Sequence, residues 1–475
     1  MGLFFTLLFI FTAYLGPQTL FGSLADYHIE VIIAVIAFIC SIPSLQGAHL
    51  SNLRQTYAIA GMCFAVFASI LFIGWISGAP GAVILFIPNA FSFFLVYLNC
   101  KKKWHLQLLI AILFLACAYT ILRGYLAVQS GDELSNYVLP QHVIDHYIYR
   151  IRGVSFLNDP NDFAQLLVSL IPLLFFFWRK NFLTNILFVI VPAIILLYGM
   201  FLTHSRGAIV ATLVICILAG RRKIGTIPSL ILAGVMFAGF TAVGWSGGRE
   251  IDVEAGEDRL EAWSAGLQMI KSHPIFGVGF DQYTEHYYIT AHNSIVVCAA
   301  ELGFVGLFFW ILFILATLFD MSALGRIEPP APDPDSLIPE HLRMRAAPVK
   351  SERSELPAPR NIVLSRGAPV GVLADESAED ESNPLSKIEV RRMAQASLYS
   401  LAGYLTAAWF LSRSYVMTLF IYGAVAEVIY TLAEKQGIVV TRTPLRRLLW
   451  ITAGVSIILI MLVYAMLRAD HFMPH

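Results

Sequence analysis

Long apolar runs separated by short polar connections make up most of the chain. Thirteen runs lie near the roughly 20 residues that an α-helix needs to cross a bilayer. They predict an all-α fold, a polytopic transmembrane helix bundle of about 12–13 spans. The weakest are the short run at 207–220 and the pair at 396–433, which Ser412-Arg413-Ser414 interrupts. The runs lie at 2–21, 29–45, 57–77, 81–100, 105–127, 163–178, 183–202, 207–220, 227–245, 293–319, 396–411, 415–433 and 448–468.

Basic clusters between these runs indicate how the chain is oriented. Alternation places four clusters on one side, which the positive-inside rule assigns to the cytoplasm. The polar loops at 129–162 and 247–292 are then expected to face outward, the second as a large periplasmic loop. The inner loop at 320–393 is proline-rich with few aromatics, so we expect it to be disordered. The lysine and arginine clusters lie at 101–103, 179–180, 221–223 and 446–447.

These features divide the chain into four predicted parts. N-terminal transmembrane helices occupy 1–128, and a central core with both outward loops, where any chemistry is expected, occupies 129–319. The inner loop at 320–393 follows, and C-terminal transmembrane helices occupy 394–475. The first apolar run has no basic n-region and no small-residue cleavage pattern, so it is predicted to be a membrane helix rather than a cleaved signal.

Composition supports a membrane protein and argues against other classes. Hydrophobic residues make up 57% of the chain and charged residues 13%, whereas soluble domains average about 25% charged residues. The mean hydropathy is +0.70. The net charge is zero, and no strongly basic surface suggests nucleic acid. All six cysteines fall in or beside apolar runs, which favours small buried hydrophobes over disulfides or a zinc site, and no motif calls for a cofactor.

The polar stretch at 258–306 has the residues best suited to chemistry. Its first part predicts a short amphipathic helix on the outer membrane surface. Arg259 in this helix and Arg206 at the start of an earlier span carry guanidiniums, planar donor forks suited to phosphate oxygens. His292, where the loop meets the next span, carries the side chain best able to accept a proton from a hydroxyl near neutral pH. The pattern predicts a phosphate-binding and proton-accepting site on the outer face.

Each of these residues also has an ordinary structural interpretation. Arg206 can snorkel to the membrane interface, and Arg259 can form solvated charge pairs on an exposed helix face. Trp263 can anchor that helix at the interface. His292 can be a helix-capping or interfacial residue, with Asn293 or Ser294 as the N-cap of the helix that follows. Spacing alone does not decide between the two interpretations.

The segment NDPND at 158–162 precedes another span. Its residues favour an Asx turn and a helix N-cap, and its two aspartates would be only a weak divalent-cation site. Arg150 and Arg152 lie just upstream, and Arg413 lies between two apolar runs on the same face. These arginines are further candidate anion contacts.

A set of ordered motifs resembles the bacterial O-antigen ligase and O-antigen polymerase superfamily. The segment at 158–161 is similar to an element of its exopolysaccharide-related members. The resemblance covers about residues 150–320, roughly the middle third. The motifs are SRGA at 205–208, Arg259 with Trp263, HPIFGVG at 273–279, AHNS at 291–294 and ELG at 301–303.

The resemblance implies a metal-independent, polyprenyl-phosphate-dependent membrane glycosyltransferase with a GT-C-like fold. It would take a glycan from undecaprenyl diphosphate on the periplasmic side of the inner membrane. In ligases the acceptor is lipid A-core, and in polymerases it is another lipid-linked glycan. By position, Arg206 and Arg259 would bind the diphosphate and His292 would activate the acceptor hydroxyl. Further candidate substrate-binding residues are Arg150, Arg152, Asn158, Asp159, Asn161, Ser205, Trp263, Asn293 and Arg413.

Three alternatives to an O-antigen ligase remain at this point. A polymerase of O-antigen or exopolysaccharide shares the same motifs. A flippase or transporter of lipid-linked glycans is disfavoured, because the spans carry few mid-membrane charges and the polar groups gather at one face. A purely structural scaffold leaves the outward motifs unexplained.

Overall fold

The protein is a bundle of long helices, seen here in a computed structural model that describes residues 1–17, 27, 29–46, 48, 50, 53–143, 146–245, 253–328, 385–438 and 440–469. Thirteen long helices coincide one-to-one with the thirteen apolar runs. The first nine are α1 (Gly2–Leu15), α2 (Ile29–Leu45), α3 (Arg54–Phe72), α4 (Ala79–Asn99), α5 (Lys103–Ser130), α6 (Pro160–Phe177), α7 (Phe182–Thr203), α8 (Arg206–Gly220) and α9 (Thr226–Ala242). The remainder, with two helices of the outward loop, are α10 (Val253–Ser272), α11 (Tyr283–His286), α12 (Ser294–Leu324), α13 (Lys387–Ala408), α14 (Met417–Lys435) and α15 (Leu445–Ala469).

Length and composition identify membrane-crossing helices within the described ranges. Eight are long and apolar enough to span a bilayer, namely α3 to α7, α12, α14 and α15. Four others, α1, α2, α8 and α9, are apolar but shorter. The first turns of α13 are charged, and its later turns are apolar. The prediction of a polytopic helical membrane protein is confirmed.

The helices beside the inner loop extend into the range assigned to it. α12 continues to Leu324 and α13 begins at Lys387, where Ser386 and Glu389 form a capping box. The predicted disorder concerns mainly residues 329–384, which lie outside the described residues, as do 246–252 of the outward loop. Helix α10 bears out the short helix expected in that loop.

The centre of the bundle is formed by α6, α12 and α14. In α14, 89% of the most apolar window is buried, against 22% in the peripheral α15. α12 packs against α3, α10, α13, α14 and α15, and α13 also packs against α6. Hydropathy does not set this order, since the peripheral α15 has a mean hydropathy of 2.4 and the central α14 only 1.3; a helix that is apolar on all sides can face lipid as well as protein.

A β-hairpin in the loop at 129–162 was not predicted. Strand β1 (Val138–Val143) pairs antiparallel with β2 (His146–Ile151), and Leu139 lies opposite Arg150. The strands are short and β1 contains Pro140, a residue that weakens a strand pattern. The hairpin gives Arg150 a fixed place beside the helix ends.

Helix α12 bends at Gly303, and the HPIFGVG segment docks against this bend. Gly303 has φ 64°, and the amides of Phe304 and Val305 donate to the carbonyls of Pro274 (2.9 Å) and Ile275 (3.2 Å). In return, the amides of the segment's last two residues, 278 and 279, donate to carbonyls of α12 at 2.9 and 3.0 Å. The motif is therefore a backbone lock that sets the position of the loop between α10 and α12.

Candidate active site

One end of the bundle brings together the start of α6, the α7–α8 turn, α10, the start of α12 and the connection between α13 and α14. Arg413 Nε donates to Asp162 Oδ2 at 2.6 Å, which joins that connection to α6. The backbone amide of His292 donates to Ser412 Oγ at 2.7 Å, which joins it to the residues preceding α12. The candidate residues of the middle third thus meet in space.

Arg206 is the first residue of α8 and is exposed. The chain reverses just before it, because α7 ends at Thr203 and His204 adopts a left-handed conformation with φ 50°. Ser205 is buried at the N-cap position. The Arg206 guanidinium therefore belongs to the N-terminus of α8. Its own charge and the partial positive charge of the helix N-terminus both favour an anion.

Arg259 lies on α10 and its side chain is exposed to solvent. The protein around the guanidinium nevertheless removes part of its hydration and so partly buries its charge. This burial lowers the pKa of the Arg259 guanidinium, and the nearby charge of Arg206 lowers it further. Trp263 fixes the helix, since its Nε1 donates to the carbonyl of Ala291 at 2.7 Å and its ring meets Trp409 edge-on at 5.9 Å. The two arginines form a cationic pair, and the charge of Asp159 opposes the lowering of the Arg259 pKa.

His292 lies immediately before α12 in a left-handed conformation with φ 47°. Ser412, which accepts from the His292 amide, donates in turn to Thr290 Oγ1 at 2.8 Å. The following residue, Asn293, is a buried N-cap whose side chain accepts from two amides of the first turn at 3.0 and 3.2 Å. The backbone around the imidazole is thus held from both sides while its ring stays solvent-accessible.

Partial burial and then the charge of Arg259 lower the pKa of His292 from its ordinary 6.5, with Asp159 opposing. Both main influences disfavour the imidazolium form. At neutral pH the ring is therefore uncharged and able to accept a proton.

Arg150 is buried and clamps three elements together. Its guanidinium donates to the Thr203 carbonyl (2.8 Å), to Asn161 Oδ1 (2.9 Å) and to Gln141 Oε1 (3.3 Å). Burial lowers its pKa to about 10, which leaves it protonated at neutral pH. These contacts make Arg150 a positioning residue, and its direct contact with substrate stays a prediction.

The remaining polar candidates form a connected rim. Asp159 caps α6 by accepting from the Asn161 amide at 2.7 Å. Arg152 NH1 donates to the carbonyl of Asn158 at 3.4 Å, and Arg413 NH2 donates to Asn158 Oδ1 at 3.3 Å. Within the described ranges, no group of three or more His, Cys, Asp or Glu side chains is arranged to hold a metal ion.

Sequence reasoning missed Thr290, Ser412, Asp281 and Gln141. Asp281 has φ 59°; burial raises its pKa and Arg413 opposes the rise, so this carboxyl lies beside the arginine. Ser412 was noticed only as part of an interruption between apolar runs. None of the four stands in a recognisable motif. Thr290, Ser412 and Asp281 act through distant parts of the chain, and Gln141 acts within the hairpin that was not predicted.

The middle of the chain is similar to a family of known proteins. Residues 191–311 match the family described as O-antigen ligase, and the match includes Arg206, Arg259 and His292. No curated protein matches the chain. With the helical membrane fold and the ordered motifs, this match to the middle of the chain supports membership of the O-antigen ligase superfamily.

Proposed function

We propose that the protein transfers a glycan from undecaprenyl diphosphate to an acceptor hydroxyl at the periplasmic face of the bacterial inner membrane, as an O-antigen ligase does. Family membership supports a ligase-like or polymerase-like glycosyltransferase. The observation that carries the finer proposal is the convergence of two exposed arginines, Arg206 and Arg259, with the neutral imidazole of His292.

In the proposed reaction, a proton leaves the acceptor hydroxyl and negative charge develops on the diphosphate. The acceptor oxygen forms a bond to the anomeric carbon as the bond from that carbon to the diphosphate oxygen breaks. The acceptor proton passes to His292, and undecaprenyl diphosphate leaves with the bonding electrons. Arg206 and Arg259 stabilise the negative charge that grows on the leaving group. Attack opposite the diphosphate inverts the anomeric centre.

This proposal predicts that Arg206→Ala, Arg259→Ala and His292→Ala each lower glycan transfer about 100-fold or more. Membrane fractions of a deletion strain carrying each variant are assayed for transfer of a labelled lipid-linked glycan. Lys271→Ala, an exposed cation on the same helix as Arg259, is the matched control and should keep its activity. Wild-type transfer by the His292 variant, at normal expression, would remove the proposed base.

A polymerase of the same superfamily would use the same site with a lipid-linked glycan as acceptor. The glycan phenotype of a deletion strain separates the two, since a missing polymerase leaves single-repeat material and a missing ligase leaves unattached long chains. In vesicles containing the purified protein, movement of lipid-linked glycan without formation of a new linkage would instead indicate a flippase.

A further inference from the structure

A groove lies between α6, α8 and α13 at the end of the bundle opposite the candidate active site. α6 and α8 begin at that site, with Pro160 and Arg206, whereas the groove is lined by their other ends and by the first turns of α13. Its volume is about 500 Å³, within the range of ligand-binding cavities. None of the residues placed in the active site contributes to it.

One side of the groove is strongly cationic. Four basic side chains line it, namely Arg222, Lys223, Arg391 and Arg392, and among the described residues no lining side chain is acidic. The carboxylate of Glu389 lies 4.0 Å from Arg392 but also pairs with Lys103 at 2.5 Å. Arg392 Nε is buried and has no hydrogen-bond partner among the described residues. The groove therefore has excess positive charge and an unsatisfied donor.

The other side of the groove is apolar. Phe175 and Pro172 from the end of α6 face Ile215 and Ala219 from the end of α8. Trp178, which also lines the groove, follows the last residue of the α6 span, a level at which tryptophan is enriched because it suits the membrane–water interface. A free inorganic anion or an acidic peptide would leave this apolar wall unused. An anion that carries an acyl chain would use both sides.

We propose that this groove binds one anionic membrane phospholipid, with the phosphate between Arg391, Arg392 and the 222–223 cations and an acyl chain along Phe175 and Ala219. Basic pockets between transmembrane helices suit such headgroups, which are concentrated on the cytoplasmic leaflet. The positive-inside pattern assigns this end to the cytoplasm, and three of its four basic clusters, at 101–103, 179–180 and 446–447, lie outside the groove. The site does not depend on glycan transfer.

Native mass spectrometry of the full chain in detergent tests the site, with phosphatidylglycerol and phosphatidylcholine of identical acyl chains as probes. The wild type should retain phosphatidylglycerol preferentially. The double variant Arg391→Gln/Arg392→Gln should weaken this retention about tenfold or more, because each guanidinium near the phosphate contributes independently. Ala219→Phe should weaken retention by filling the apolar side while leaving every charge in place, and Ala219→Leu is the smaller substitution if the larger one impairs folding.

The matched control is Lys101→Gln/Lys435→Gln, an exposed pair of neighbouring cations that lies outside the groove. It should retain the lipid as the wild type does. Equal loss in the control, equal retention of both lipids, or unchanged retention in the Arg391/Arg392 variant would overturn the proposal. Displacement of the lipid by millimolar inorganic phosphate alone would show a simple anion site and would also overturn it.

Discussion

The protonation state of His292 decides whether it can act as a base. Burial and the charge of Arg259 both lower its pKa from 6.5, so the neutral form persists to a lower pH than in a free imidazole. Protonation removes the acceptor lone pair. The acidic side of the pH profile therefore reports on His292, and the lowered pKa moves this side to lower pH.

We predict that glycan transfer reaches a plateau on the alkaline side and falls on the acidic side, by about tenfold per pH unit once the pH is below the lowered pKa of His292. Arg259→Gln removes a charge that lowers this pKa, so the acidic limb of its residual activity should move to higher pH, whereas Arg259→Lys should leave the limb near its original place. The measurement is the pH dependence of transfer at subsaturating donor. If the acidic limb of Arg259→Gln stays at the pH of the wild type, the limb does not report the protonation of His292.

At the scale of elements, the bend of α12 and the HPIFGVG segment form one unit. A Cβ atom on Gly303 would lie 2.3 Å from the carbonyl oxygen of Ile275, and one on Gly277 would lie 2.3 Å from backbone atoms of Glu301. Both glycines have positive φ, 64° and 70°. Only a residue without a side chain permits this close approach of two backbones.

Gly303→Ala is predicted to destabilise the protein by at least about 1–3 kcal/mol, because it adds backbone strain to a steric clash. Thermal unfolding of the purified protein in detergent should show a lower Tm. Gly234→Ala in the exposed middle of α9 is the control, since nothing lies within 4 Å of its new Cβ and alanine favours a helix by about 1 kcal/mol over glycine. Equal Tm values for the two variants would contradict the backbone lock.

At the scale of the whole molecule, a buried charge network joins α3, α12, α14 and the connection before α15. Asp320 lies 3.6 Å from Arg54 and 3.8 Å from Arg442, and Arg442 also pairs with Glu427. The side chains of Asp320 and Glu427 are 2% and 1% exposed. The Arg442 guanidinium also lies 3.7 Å from the ring centroid of Tyr430. Two cations and two anions balance, so the network ties four elements together without net charge.

Asp320→Asn should therefore destabilise the protein by about 3–5 kcal/mol, because it leaves the arginines buried with one counter-charge too few. Glu389→Gln breaks a pair with Lys103 whose side chains are 30% and 26% exposed, and it should cost at most about 1 kcal/mol. Unfolding of both variants in the same detergent makes the comparison. A loss no larger for Asp320→Asn than for Glu389→Gln would show that the network does not hold these helices.

The sequence by itself determined the apolar helices and indicated the chemical groups of the candidate site. Apolar run length and helical period are local properties, so each of the thirteen apolar runs matched a helix among the described residues, and the motifs pointed to Arg206, Arg259 and His292. The capping roles of Asp159 and Asn293 were also open to prediction, because an N-cap acts on the next two or three residues.

Only the tertiary structure decided how these groups are assembled. Arg413 and Asp162 are 251 residues apart in the chain, and His292 and Ser412 are 120 apart. The hairpin clamp of Arg150, the backbone lock at Gly303 and the basic groove likewise join distant segments. Such contacts depend on which helix ends become neighbours when the bundle packs, and the local pattern of polar and apolar residues does not encode that choice.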